Sequence, residues 1–188
     1  GFKLIKARSL AMQKAAENSS GAMFAIIGST PADIEKVCAE TEGYVVPVNY
    51  NSSVQTVIAG EEAAAQAAAD TLAAAGARAI RLNVAAAFHS KLMQGAADEF
   101  EPAAEQISFK TPEITMLSNI SGTVLDSIDN MPERLALHIV SPVKFTSELA
   151  YLSENGYDTF IECGPGKVLT GLVKKTLKGV NAMNVQDA

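Results

Sequence analysis

Gly21-Ala22-Met23-Phe24-Ala25-Ile26-Ile27-Gly28-Ser29-Thr30-Pro31 is the stretch on which the fold turns. Residues 22–28 form an apolar run rich in strand formers. Ser29-Thr30-Pro31 then reads as a helix start, with a hydroxyl cap and proline at or near the first turn. Ile34, Val37 and Cys38 supply the apolar stripe of that helix, and Gly43 ends it. Residues 45–50 and 55–59 read as two short strands joined by Asn51-Ser52-Ser53, a hairpin signal. Residues 61–75 form an Ala-rich helix with acids in its first turn, where the helix dipole favours them. Gly76 stops it. Residues 78–84 follow as a fourth strand, with Ile80, Leu82 and Val84 alternating.

The order β-α-β-β-α-β is the split unit of ferredoxin-like folds. Two helices on one face of a four-stranded antiparallel sheet satisfy it. Ahead of it, residues 2–16 read as a helix, with Phe2, Ile5, Ser9, Met12 and Ala16 recurring at three- and four-residue steps. Asn18-Ser19-Ser20-Gly21 breaks that pattern. Beyond residue 88 the rhythm changes. A helix is expected over 90–106, kinked or shortened by Pro102. A strand is expected over 114–120, turning at Asn119-Ile120-Ser121-Gly122. A helix follows over 132–139, and Ser141-Pro142 starts another that runs to about residue 154. A strand over 158–163, the tight turn Gly164-Pro165-Gly166, a helix over 167–177 and a last strand over 182–185 complete the chain. Strands alternating with helices argue for parallel pairing. Two or three such strands are thin for a doubly covered parallel sheet, which suggests absent partners. An unpaired edge and uncovered apolar faces predict self-association. The chain thus divides into 1–20, 21–86 and 87–188.

The 188 residues are 48% hydrophobic and 19% charged, with a net charge of −6. An acidic chain with no Lys/Arg-rich run is a poor candidate for nucleic-acid binding, and an anionic substrate would need a local cationic site. Cys38 and Cys163 fit no metal spacing and no disulfide framework. Buried reduced thiols are the expectation, which suits a cytoplasmic protein. No apolar stretch approaches the ~20 residues of a membrane helix, and no signal peptide opens the chain. Gly1-Phe2-Lys3-Leu4-Ile5-Lys6 enters a helical pattern directly and reads as a boundary within a longer protein.

Ala87-Phe88-His89-Ser90-Lys91-Leu92-Met93 places a histidine between a strand-like stretch and a predicted helix. The partial positive charge of a helix N-terminus tends to keep such a histidine neutral, the form a general base requires. Its task would be to take the proton of a nucleophilic hydroxyl and return it to a leaving thiol. On the residue alone, an ordinary histidine at a strand–helix junction is the better reading. No Gly-x-Ser-x-Gly elbow occurs in the 188 residues.

Ala87-Phe88-His89-Ser90-x-Leu92-Met93 resembles the active-site histidine segment of malonyl-CoA:acyl carrier protein transacylases and of the acyltransferase domains of polyketide and fatty-acid synthases. Further segments match in order. Lys6-Ala7-Arg8-Ser9-Leu10-Ala11-Met12-Gln13 resembles the helix carrying the substrate-carboxylate arginine. Gly21-Ala22-Met23-x-Ala25-Ile26-Ile27-Gly28 resembles the first strand of the small subdomain, and Val48-Asn49-Tyr50-Asn51-Ser52 with Val57-Ile58-Ala59-Gly60 resembles its hairpin. Ser141-Pro142-Val143-Lys144-Phe145 and Glu162-x-Gly164-Pro165-Gly166-x-x-Leu169 resemble the late signatures.

The resemblance implies an α/β protein: a ferredoxin-like βαββαβ subdomain plus part of an α/β-hydrolase-like parallel-sheet domain. It implies transfer of malonyl from CoA to the carrier-protein thiol through a seryl ester, in fatty-acid or polyketide synthesis. His89 would be base and acid. Arg8 would grip the malonyl carboxylate, a task suited to the guanidinium fork. Phe88 would favour malonyl over α-methylated units by filling the space of a methyl. His138 stands where the family often has glutamine, whose main-chain carbonyl orients the catalytic histidine. The resemblance implies no metal and no cofactor beyond the CoA thioester as substrate. The partners implied are malonyl-CoA, acyl carrier protein and the absent N-terminal segment. The family's Gly-His-Ser-x-Gly elbow and its Gly-Gln-Gly-Ser-like oxyanion segment lie upstream of where this sequence begins. The chain is therefore expected to be the C-terminal part of such an enzyme, inactive by itself.

Other signals are weaker. Gly164-Pro165-Gly166 lacks the spacing and the Lys-Ser/Thr pair of a phosphate loop. A Cys163–His89 dyad is disfavoured, since a thiol at a strand end is usually core. Lys174, Lys175 and Lys178 are explained by a helix C-terminus, though carrier or CoA phosphates would also suit them. The alternatives to a transferase fragment are a non-catalytic carrier-binding module, a subunit of a split transferase and a thiol hydrolase using Cys163.

Overall fold

The computed structural model describes residues 1–17, 19–84 and 86–186. Asn18, read above as part of the break after the first helix, lies outside them. Helix α1 (Phe2–Glu17) leads into β1 (Gly21–Ile27), α2 (Pro31–Glu40), β2 (Val45–Ser52), β3 (Gln55–Glu61), α3 (Glu62–Ala74) and β4 (Arg78–Arg81). The Thr30 hydroxyl accepts the Asp33 N–H at 3.2 Å and Pro31 opens the helix, so α2 starts where its capping residues dictate. The four strands form one antiparallel sheet in the order β2-β3-β1-β4. That is the order expected of the βαββαβ unit.

Strand β1 is apolar without alternation because both of its faces are covered. Ala22, Phe24 and Ile26 pack with Ile34 and Cys38 of α2 and Leu72 of α3. Met23 and Ala25 face the opposite way, with Val57, Ala59 and Ala87. Strand β2 extends to Ser52, which pairs with Gln55. The hairpin turn is therefore Ser53-Val54, with register shifts at Pro47/Asn49 and Tyr50/Ser52 absorbing the extra residues. Strand β4 stops at Arg81, and Leu82 packs onto the second face instead.

The remaining elements are α4 (Gln94–Glu105), β5 (Leu117–Ser118), β6 (Thr123–Val124), α5 (Met131–Val140), α6 (Phe145–Glu154), β7 (Thr159–Cys163), α7 (Val168–Thr176) and β8 (Asn181–Val185). A 3-10 turn, Lys91–Met93, precedes α4, and Pro102 sits inside α4 without ending it. Three expectations need correction. The strand over 114–120 shrinks to β5, paired only with β6. Ahead of it, Met116 keeps one bond to the chain just past β6, its carbonyl accepting the Leu125 N–H at 2.8 Å, and Ile114 is 82% exposed. Ser141-Pro142 does not start a helix. Ser141 is extended (φ −108°, ψ 150°), as a residue before proline tends to be. Val143 then bonds the edge of β2, donating to Val48 O at 2.8 Å and accepting from Tyr50 N at 2.9 Å. Finally, Cys163 is exposed rather than buried.

Strands β7 and β8 pair in parallel across α7, as the alternation predicts. No other strand joins them among the described residues, and Ile161, Met183 and Val185 are each about half exposed. No described helix is long and apolar enough to cross a membrane.

Helices α1, α4 and α5 pack through small residues: Ala11, Ala16, Ala96, Ala97, Ala104 and Ala136 are all buried. Phe100, Met93 and Ile139 fill the spaces between them. Phe88 touches both this helical cluster and the second face of the sheet. Gly21 fixes how near the two bodies come. A Cβ there would lie 2.7 Å from Ala87 Cβ and 2.9 Å from Ala87 N. Gly21→Ala is expected to lower stability by about 1–3 kcal/mol in urea unfolding, since a packed contact must shift. Gly95→Ala, with open space around it inside α4, is expected to add about 0.4–1 kcal/mol.

Candidate functional site

His89 has a left-handed backbone, φ 60°. For a non-glycine residue that conformation costs roughly 1–2 kcal/mol. Hydrogen bonds on either side hold it. The buried Ser90 hydroxyl donates to Ala87 O at 2.6 Å and accepts the Leu92 N–H at 3.3 Å. The imidazole meets the end of α5, where Nδ1 lies 3.0 Å from His138 O. That oxygen belongs to the last turn of a helix, whose carbonyls lack intrahelical donors. A carbonyl only accepts, so Nδ1 carries the proton and Nε2 bears the free lone pair.

His89 titrates below the ordinary 6.5. Burial is the largest cause, and the positive charge of Arg8 adds to it. The His138 and Ser141 backbones act in the opposite sense. The sequence position of His89 ahead of a helix predicts neutrality from the helix N-terminus. The structure assigns it first to desolvation, with the α5 C-terminus working against it. The His138 ring stands 5.2 Å from that of His89, tilted by 55°. Burial, then His89, then Arg8 push its pKa down to about 4. His138 Nε2 is buried with no hydrogen-bond partner among the described residues.

Arg8 is half-buried on α1, and burial lowers its pKa. Among the described residues no carboxylate pairs with it; the ion pairs lie elsewhere. Arg8, His89 and His138 therefore form one electrostatic group: one guanidinium, two neutral imidazoles and no compensating acid. Such a group attracts an anion and presents a base beside it. Phe88 precedes His89 in the chain, and its partly buried side chain packs against both cores.

Other candidates stay apart. The Cys163 thiol donates only a weak 4.0 Å contact to Ile161 O. The loop amides after β7 are occupied: Gly164 N by Val185 O, Gly166 N by Gln186 Oε1, Leu169 N and Thr170 N by the Glu162 carboxylate. They leave little for a phosphate. A cleft of about 590 Å³ between α1, α4 and the end of β3 is lined by none of Arg8, Phe88, His89 or His138, and the Lys14–Glu99 ion pair (2.7 Å) lies on its wall. Sequence reading missed the Ser141–Lys144 segment as a support of the site. The proline at 142 was the available signal, since it steers Ser141 to an extended conformation.

Both histidines accept protons less readily in the folded state than at 6.5. The stability carried by their neutral forms is complete above 6.5 and is lost as pH falls, for His138 down to about 4. Urea midpoints are expected to drop across that window. His138→Gln, which keeps the backbone carbonyl and removes one titration, is expected to flatten the drop.

A family model for the acyl transferase domain matches residues 1–188. The malonyl CoA-acyl carrier protein transacylase of Escherichia coli (strain K12) is 38% identical over 183 residues, which cover 96% of this chain and 59% of that protein. The crystal structure of the Clostridium perfringens malonyl CoA-acyl carrier protein transacylase superposes with a TM-score of 0.94 at 38% identity, covering 99% of this chain and 60% of that one. A malonyl-transacylase in complex with its type II PKS acyl-carrier protein superposes with a TM-score of 0.91 at 36% identity, over 98% of this chain and 61% of that one. The chain thus spans about three-fifths of the length of the curated relatives it matches. The chain belongs to the acyl transferase domain family.

Proposed function

We propose that these 188 residues carry the general base and the carboxylate clamp of a malonyl-CoA:acyl carrier protein transacylase. The observation that carries this reading is the state of His89: Nδ1 is engaged by a helix-end carbonyl, which leaves the lone pair on Nε2, and the Arg8 guanidinium, with no carboxylate partner among the described residues, is near enough to lower the imidazole pKa. By this reading the nucleophile is a serine on a segment outside the 188 residues, and the chain by itself is inactive. Residues 1–20 and 87–188 belong to the large α/β subdomain and 21–86 to the small one. A cytoplasmic setting goes with the reading.

The chemistry follows from the geometry. Nε2 takes the serine proton as the oxygen attacks the malonyl thioester carbonyl. The imidazolium that forms is held by Nδ1–H on His138 O, while burial disfavours its persistence, so the proton is readily given up. It goes to the departing CoA sulfur as the tetrahedral intermediate collapses to the seryl ester. The carrier thiol then enters by the reverse course: Nε2 takes its proton, sulfur attacks the ester, and the proton returns to the serine oxygen. Arg8 pairs its fork with the malonyl carboxylate throughout and fixes the acyl group. Phe88 limits the room at Cα, where one methyl is worth about 1–3 kcal/mol of discrimination.

Mixing the chain with a separately produced segment bearing Gly-His-Ser-x-Gly is expected to restore malonyl transfer between CoA and holo carrier protein. The chain alone gives none, and His89→Ala abolishes the restored activity. Arg8→Lys is expected to lower kcat/KM for malonyl-CoA by about 10- to 100-fold, the loss of a bidentate grip. Transfer catalysed by the 188 residues alone would overturn the assignment of the nucleophile.

A further inference from the structure

Asn119 stands between β5 and β6 and grips the start of α6 twice. Its carbonyl accepts the Lys144 N–H at 2.9 Å, and its side-chain amide donates to Glu148 Oε1 at 2.9 Å. Glu148 is only 7% exposed, and burial raises its pKa. A carboxyl so deeply placed has no solubility role, and removing it would leave the Asn119 amide without its acceptor. Gly122, at φ +76° in the same turn, lies against Ser147 so closely that a Cβ would overlap it. The β5–β6 turn and the first turn of α6 therefore form one joint.

From this joint the chain runs back only four residues, 144 to 141, to the end of α5. Val143 is bonded to β2 through both its N–H and its carbonyl on the way. At the far end lie the Ser141 and His138 backbones that His89 faces. Neither Asn119 nor Glu148 hydrogen-bonds His89. The charged and titratable groups that act on His89 itself are Arg8 and His138, so the joint works by position rather than by charge.

We propose that Asn119 and Glu148 are positioning residues for His89: by locking α6 to the β5–β6 turn they place the α5 carbonyls and so fix the proton on Nδ1. The consequence for catalysis rests on the proposed function; the placement of the proton does not.

The test is nitrogen-15 NMR of the chain, whose two histidines give a simple spectrum. Above neutral pH, His89 is expected as a single Nδ1–H tautomer with a slowly exchanging ring proton. Asn119→Ala and Glu148→Ala are each expected to turn it into a tautomer mixture with faster exchange. Glu148→Gln, which still accepts from the amide, is expected to retain the original signature. Ile34→Val, in the core beneath α2 and far along the chain from the joint, is expected to lower the unfolding midpoint and leave the tautomer alone. Asn119→Ser gives a milder loss of the amide donor should Asn119→Ala fail to fold. An unchanged tautomer in the folded Asn119 and Glu148→Ala variants overturns the proposal, and so does its loss in Glu148→Gln. Failure of malonyl transfer in the reconstituted enzyme leaves the tautomer result standing, so the two readings fall separately.

Discussion

The contact between His89 Nδ1 and the His138 carbonyl is the constraint around which the molecule is arranged. It joins a strained residue ahead of α4 to the C-terminal end of α5. A helix C-terminus has carbonyls to spare, and an imidazole has one N–H to give. The bond settles the tautomer, turns Nε2 outward from it and offsets part of the burial that keeps the ring neutral. Without it, the left-handed backbone at His89 would be strain with no return.

Holding that contact requires the antiparallel sheet and the helical cluster to approach closely and in one register. Small residues make this possible. Gly21 lets Ala87 rest against β1, and buried alanines let α1, α4 and α5 close up. Phe88, shared by both cores, prevents the two from sliding independently. The same closeness brings Arg8 on α1 within electrostatic reach of both imidazoles. Among the described residues its charge lacks a carboxylate partner, which is a cost for folding and an advantage for binding an anion.

The uncovered parts of the molecule differ in kind from this centre. Among the described residues, strands β7 and β8 pair only with each other, and Ile114, Ile161 and Val168 stand in the open. The small sheet, by contrast, is covered on both faces and closed along β2 by Val143.

Local chemistry in the sequence determined much of this. Thr30-Pro31 starts α2, Gly76 ends the third helix, and the apolar run 22–28 marks the first strand of the βαββαβ unit. The resemblance around Phe88, His89, Arg8 and His138 singled out the chemistry-bearing residues. These are legible because caps, turns and periodicity act over a few residues. Only the tertiary structure decided that Ser141–Lys144 is an edge segment rather than a helix, that the strand expected over 114–120 shrinks to Leu117–Ser118, and that Cys163 is exposed. It also decided why His89 is neutral: burial, opposed by the end of a helix 49 residues away in the chain. Desolvation and helix-end carbonyls depend on which surfaces meet, and no local pattern records that.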